Sequence, residues 1–356
     1  MGMLEFSQML ITKACWGKLI DLFVKWLGNY GWAIILLTIA LKLVLSPIDI
    51  IQKRMNKKNA KMQALMQPEL QKVQEQFPND RNKLNQKQME LSKKYNFNMT
   101  GTCLTLLITM VITIVVFTSL FIGIRSLSEK QENVAFNEIY QTYTTAVEYT
   151  KDPANTQFLN EDLTPNEEAI NSYIQEQVNA KYKEQSKKYS FMWVQNVWKK
   201  DTTTSPVVNY SSFEKYALKN GIVEEANLEQ FKKDYEGISN IITAKHKYNG
   251  CYILIILAGL ITFLSQWLQS RIQKRKGAPV AQNSKIMFII MPLFMIIFAS
   301  TSSALFTLYI IASSVMSTLI SIVADLLQGK DKDDTNVVYK KGNTEVVEYS
   351  RNYNKG

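Results

Sequence analysis

Apolar and polar positions separate along this chain into long blocks. Residues 30–51, 102–124, 251–270 and 286–324 are dominated by apolar side chains, and the stretches between them are rich in Lys, Glu, Gln and Asn. A helix needs about 20 apolar residues to cross ~30 Å of hydrocarbon, so each of the first three blocks predicts one membrane span. The last block is longer, with 39 residues from Ile286 to Ala324 and no charge among them. As one helix it would measure about 58 Å, nearly twice the hydrocarbon thickness. It therefore predicts two spans, 286–302 and 303–324, turning at the hydroxyl-rich Ser300-Thr301-Ser302-Ser303.

The connections have periods of their own. Within residues 1–29, Trp16, Leu19, Ile20, Phe23 and Leu27 recur at helical spacing, while Lys18, Asp21 and Lys25 lie elsewhere around the axis. This predicts an amphipathic helix along the membrane surface, ended by a turn at Gly28-Asn29. Residues 52–101 are helical in period on both sides of the breaker Phe77-Pro78-Asn79-Asp80, which predicts a helical hairpin. The segment 125–250 carries Ile170, Tyr173, Ile174, Val178 and Tyr182 at helical spacing and lacks strand alternation, so a mostly helical insertion is expected. A short basic loop, 271–285, and a charged, loose tail, 325–356, complete the chain. The predicted class is an all-α integral membrane protein with five transmembrane helices.

Charge orients these spans. The hairpin holds eleven basic and four acidic residues, and the 271–285 loop five basic and none acidic. The insertion holds 15 basic against 18 acidic, and the tail six of each. Cytoplasmic loops retain the positive excess, so hairpin, loop and tail are expected inside, and the N-terminus and the insertion outside. The net charge of +10 flanks spans, so no nucleic acid specificity is expected. Cys15, Cys103 and Cys251 lack metal-ligand spacing and imply no disulfide framework. His246 is expected to be a solvated loop residue. Lys13 sits badly in a lipoprotein cleavage box before Cys15, so the chain is read as unprocessed.

Lys42 is the most informative residue. It lies near the middle of the first span, where a cation costs about 2.5–3.5 kcal/mol on insertion scales. One reading is snorkelling to the interface; the other is a water-filled hollow among the helices. Hydroxyls and an amide on other spans could line such a hollow: Thr105, Thr109 and Thr113 on the second, Ser265 and Gln266 on the third, Ser313 and Ser317 on the fifth. Small polar residues also serve close helix packing, and spacing alone leaves both roles open. In the hairpin, Lys53, Arg54, Lys57, Lys58 and Lys61 suit anionic lipid, and Met62 and Met66 suit varied apolar partners or the packing of the hairpin itself. No phosphate-binding loop or nucleophile set appears, so neither enzyme activity nor a cofactor is expected.

The order of features, together with "IILLTIALKLVLSPI", "CLTLLITM", "FMWVQNVWKKDT" and "IMFIIMPLFMIIFASTSSALFTLYIIASS", resembles the YidC family of membrane protein insertases. The resemblance implies five spans around a hydrophilic groove, open to cytosol and lipid and closed outside, in the bacterial plasma membrane. It places Lys42 where the family carries a groove arginine, and Thr105, Thr109 and Val111 where many members have proline, glutamine and proline. It implies nascent membrane proteins and the lipid bilayer as partners, with the Sec translocon and the ribosome as further candidates. The expected activity moves short polar segments of nascent proteins through the groove and releases apolar ones into lipid. The rival expectation is a small-anion transporter or channel with Lys42 as selectivity charge.

Overall fold

A computed structural model of the chain describes residues 13–78, 80–94, 99–275, 284–327, 336–341 and 344–349. In chain order its helices are α1 (Lys13–Leu27), α2 (Tyr30–Gln76), α3 (Arg81–Lys94), α4 (Met99–Lys151) and α5 (Glu167–Tyr189), then α6 (Tyr210–Lys219), α7 (Leu228–Lys245), α8 (Ile253–Arg275), α9 (Ser284–Thr301) and α10 (Ala304–Leu327). Among the described residues, Tyr30–Gln52, Met110–Lys151, Ile253–Ile272 and Ala304–Ala324 are long and apolar enough to cross a bilayer, and Phe288–Thr301 is a shorter apolar helix. The fold is that of an all-α membrane protein. The tail departs from the loose chain expected of it: β1 (Asn336–Lys341) and β2 (Thr344–Tyr349) pair as an antiparallel ribbon. Its strands carry Val337-Val338 and Val346-Val347, β-branched pairs that suit a pleated backbone.

Helices outrun the compositional boundaries. α2 extends for 47 residues and α4 for 53, so the polar stretches beginning at 52 and 125 continue existing helices instead of starting new elements. The reason is local: no Gly or Pro stands between Ile124 and Lys151, so nothing interrupts the backbone ladder where the side chains turn polar. Pro47 does fall inside α2, where its missing N–H would leave the Leu43 carbonyl unpaired. Ser46 repairs this, its hydroxyl donating to Leu43 O at 2.8 Å.

The chain forms two compact units. The first takes residues up to Ile39, Phe117–Leu260 and Pro292–Ala312; the second takes Ala40–Val116, Ile261–Met291 and the residues from Ser313 onward. In the first, the distal part of α4 packs with α5, α6 and α7 around Phe136, Ile139, Val178, Phe213, Phe231 and Ile238. Phe213 stacks on Phe231 at 5.2 Å and meets Phe136 edge-on at 4.7 Å. The buried face of α5 runs Ile174, Val178, Tyr182, Gln185, Tyr189, a helical repeat, and Asn166 caps its start by accepting from Ala169 N at 3.0 Å. His246 is not the solvated loop residue expected. It ends α7 half-buried, its ring 5.1 Å from that of Tyr182, which fills space a free loop would leave to water.

The junction of α1 and α2 depends on two adjacent residues. Gly28 closes α1 at φ 70°, a conformation open to glycine, with its N–H donating to Val24 O at 2.7 Å. Asn29 caps α2, its Oδ1 accepting from Gly31 N at 2.8 Å, and its Nδ2 donates to Ser190 O at 2.7 Å and Lys187 O at 3.1 Å at the end of α5. One side chain thus serves one helix's free donors and another's free acceptors.

The segment 191–204 binds the ends of the apolar helices together. Asp201 is buried, and its carboxylate accepts from Cys251 N at 2.9 Å and Leu254 N at 2.6 Å, capping α8 from 50 residues away. Backbone carbonyls of the same segment cap α10: Lys199 O accepts from Ala304 N at 2.7 Å and Val197 O from Leu305 N at 2.8 Å. Asn249 is fully buried, donating to Asn196 O and Lys200 O and accepting from Asn196 N at 2.8 Å. On α4, Ser128 donates to Trp198 O at 3.2 Å, and on α2 the Tyr30 ring lies 4.6 Å from that of Trp198. Gly250 permits the close approach, since a Cβ there would run into Asp201 Oδ1.

In the second unit the hairpin closes through Met66, which is buried and touches Ser92 Oγ at 4.0 Å, and through a Lys94–Glu69 ion pair at 2.8 Å. Asp80 starts α3, its carboxylate accepting from Lys83 N at 3.0 Å. That bond from the Lys83 backbone, foremost, holds the Asp80 carboxyl below its usual range.

Asp201→Ala takes the carboxylate away from one buried and one partly buried amide, and is expected to cost about 3 kcal/mol. In thermal unfolding of the detergent-solubilised protein, Asp201→Asn should lose less than Asp201→Ala, and Gly250→Ala should match the larger loss; equal stability of all three with wild type would refute the capping role. Met66→Glu should open the hairpin and speed proteolytic nicking near Phe77–Asp80. Lys94→Ala, which removes a third-exposed pair, should cost no more than ~1 kcal/mol, so equal nicking rates for the two variants would contradict the packing described.

Candidate functional site

Burial divides α2 into two faces around Lys42. With about 100° between successive residues, positions 38, 42, 46 and 49 share one face, and 43, 44, 47, 48 and 51 the other. Leu43, Val44, Ile48 and Ile51 are exposed apolar residues, Val44 at 75%. Lys42, Ser46 and Asp49 are half-buried, and Thr38 is fully buried with its hydroxyl donating to Ile34 O at 2.6 Å. Lys42 therefore stands on the face turned toward protein, opposite the apolar one. Asp49 stands on the same face, two turns or about 10.5 Å further along the axis.

Two other helices repeat this division. On α10, Ser313 and Ser317 are half-buried and Ser321 and Ala324 buried, while Val315, Leu319, Val323 and Leu326 are exposed. On α8, Thr262 is buried and Ser265, Gln266 and Gln269 half-buried, while Phe263, Leu264 and Trp267 are exposed. The Arg271 guanidinium lies over the Trp267 ring at 4.6 Å, the pairing of cation and aromatic that suits a helix end at a membrane boundary. In each helix the hydroxyls and amides share a stripe on the side away from the oily surface.

The second apolar helix behaves differently. Thr113 on α4 is exposed, on a broad apolar surface with Leu107, Met110, Val111 and Ile114. Thr105 and Thr109 are helical positions of α4 whose side chains lie outside the described residues. The same holds in α2 for Lys53, Arg54, Lys57, Lys58, Lys61 and Met62. Met66, by contrast, is at 5% exposure inside the hairpin, where it supports the packing role of that methionine.

All eight groove candidates, Lys42 to Ser317, belong to the second unit. Residue reading missed Ser46 and Asp49 as continuations of the Lys42 face, although their spacing of four and seven residues carries that signal. It also missed the capping by Asp201 and Asn249, for which no local spacing exists. Among the described residues no group of three His, Cys, Asp or Glu side chains could hold a metal ion. A cation, hydroxyls and amides on protein-facing stripes of otherwise apolar helices can solvate a polar or anionic group at a depth where lipid offers no hydrogen bonds.

The family model of the 60Kd inner membrane protein matches residues 22–330 of the chain. The chain is 43% identical over 90 residues to a "Membrane protein insertase YidC" of Nitratidesulfovibrio vulgaris strain DP4, covering 25% of this chain and 16% of that protein. Proteins of the same name from Fusobacterium nucleatum and Clostridium tetani are 37% identical over 100 residues and 40% over 89. Those stretches cover 28% and 25% of this chain and 47% and 39% of the two relatives, so the chain aligns with less than half the length of each. From its match over residues 22–330, the chain belongs to the 60Kd inner membrane protein family.

Proposed function

We propose that this chain inserts other membrane proteins into the bilayer. The observation that carries the reading is the placement of Lys42, with Ser46 and Asp49, on the face of α2 opposite its exposed apolar side. The name borne by the compared relatives, membrane protein insertase, supports the same activity.

In this mechanism the polar segment of a nascent protein enters a groove lined by the Lys42 face of α2, the Ser313–Ser317 stripe of α10 and Ser265 and Gln266 of α8. Water, the ammonium and the hydroxyls solvate it there, so it avoids the several kcal/mol that each unpaired backbone group costs in hydrocarbon. The adjoining apolar segment slides along exposed helix faces into lipid, and its burial, at about 25 cal/mol per Å², drives the reaction. The scheme consumes no nucleotide. Charge counts favour the hairpin, the 271–285 loop and the tail on the cytoplasmic side, with the N-terminus and the insertion outside. Lys53, Arg54, Lys57, Lys58 and Lys61 then face anionic lipid and arriving chains at the groove's cytoplasmic mouth. The Sec translocon and the ribosome are candidate partners at that mouth.

The test compares Lys42→Ala with Lys42→Arg for insertion of a single-span substrate into proteoliposomes. The alanine protein should insert about tenfold more slowly, equivalent to ~1.4 kcal/mol of barrier, and the arginine protein should stay near wild type. Full activity of Lys42→Ala would remove the cation from the mechanism. Anion flux through liposomes that contain no substrate protein, abolished by Lys42→Ala, would instead establish the rival reading of a small-anion channel.

A further inference from the structure

A cavity of about 590 Å³ opens in the first unit, within the size range of small-molecule sites. Its lining mixes two characters. Phe121, Ile124 and Phe306 supply apolar surface, and Arg125, Lys199 and Lys200 bring three cations. Against them stands one lining carboxylate, Glu132, already engaged as acceptor from Asn196 Nδ2 at 3.0 Å.

Depth and charge narrow the ligand. Arg125 directly follows Ile124, the last residue of the second apolar run, and the lining residues Ser302 and Ser303 separate α9 from α10. The cavity thus lies where apolar helices end, the level of lipid headgroups. Trp198 lines it too, and is 4% exposed; its indole N–H is sealed within the protein and meets no acceptor among the described residues. Burial pushes the Lys199 ammonium below its usual pKa, with the Glu132 charge acting in the opposite sense. This cation would gain from a second anion beside it.

We propose that the cavity binds the phosphate of an anionic phospholipid. Lys199, Lys200 and Arg125 hold the phosphate oxygens, and the acyl chains lie against Phe121 and Phe306. Free inorganic phosphate would satisfy the same donors but would leave Phe121, Ile124 and Phe306 without an apolar partner, so the lipid is the favoured source of the shared chemistry. The site shares no residue with the Lys42 face and stands whether or not the chain is an insertase.

The experiment titrates the full-length, detergent-solubilised protein with dioleoyl phosphatidylglycerol, dioleoyl phosphatidylcholine or millimolar inorganic phosphate and counts bound ligand by native mass spectrometry. Wild type should retain phosphatidylglycerol in preference to phosphatidylcholine. Lys199→Gln with Lys200→Gln should weaken it about fivefold for each lysine removed, and the exposed pair Lys232→Gln with Lys233→Gln should leave it unchanged. Equal retention by wild type and the Lys199/Lys200 variant overturns the site. Displacement of the lipid by inorganic phosphate overturns the lipid as its occupant. A photoactivatable phosphatidylglycerol on the wild-type protein keeps the proposal testable if the double variant fails to fold: crosslinked peptides from 121–132 or 197–205 support it, and labelling confined to other regions overturns it.

Discussion

A helix that begins inside or beside hydrocarbon brings several backbone N–H groups that its own ladder cannot satisfy, and lipid cannot satisfy them either. In this protein the segment 191–204 answers that constraint for two helices at once. The Asp201 carboxylate accepts from Leu254 N in the first turn of α8 and from Cys251 N just before it, and the carbonyls of Lys199 and Val197 accept from Ala304 N and Leu305 N at the start of α10. An anion at a helix N-terminus also meets the positive end of the helix dipole, so Asp201 is held by more than hydrogen bonds. The rest of the first unit follows from this fastening. Asn249 must be buried to order the segment, Gly250 must lack a side chain, and Ser128 and Tyr30 bring α4 and α2 to the same place.

The second unit solves a related problem in the opposite way. There the apolar helices keep polar side chains without fastening them all, turning them to one face and leaving the other to oil. Lys42, Ser46 and Asp49 on α2, the serines of α10 and the amides of α8 obey one rule of placement on three separate helices. A cation on an apolar helix is tolerable when the helix is two-sided in this sense, because its face turns to protein and polar neighbours and away from hydrocarbon. Family membership and this two-sidedness rest on different observations and favour the same activity.

Much of this was legible in the residues. The apolar blocks, the break at Phe77–Asp80, the turn at Gly28-Asn29 and the repeat Ile174, Val178, Tyr182 are each signalled within a few positions, and helix geometry converts such spacing directly into faces and ends. Lys42 stood out because a charge near the middle of an apolar run must either snorkel to the interface or meet a polar hollow. What the residues hid is nonlocal. Nothing near Ile253 announces that its cap comes from Asp201, and nothing near Trp198 says it lines a cavity with Arg125. Helix length was also hidden, since the change from apolar to polar at Arg125 alters the solvent of the side chains but not the preference of the backbone. The ribbon of the tail escaped for a similar reason: six-residue strands among charges give too short an alternation to read.

The uninterrupted run of α4 beyond Ile124 has a mechanical consequence. From there to Lys151 the helix continues for 27 residues without Gly or Pro, a stiff arm of about 40 Å. A tilt of about 5° at its root swings the far tip by roughly 3.5 Å over that length. The insertion is therefore geared to its span, and a partner gripping its tip would have leverage on the membrane helix that a flexible linker could never transmit.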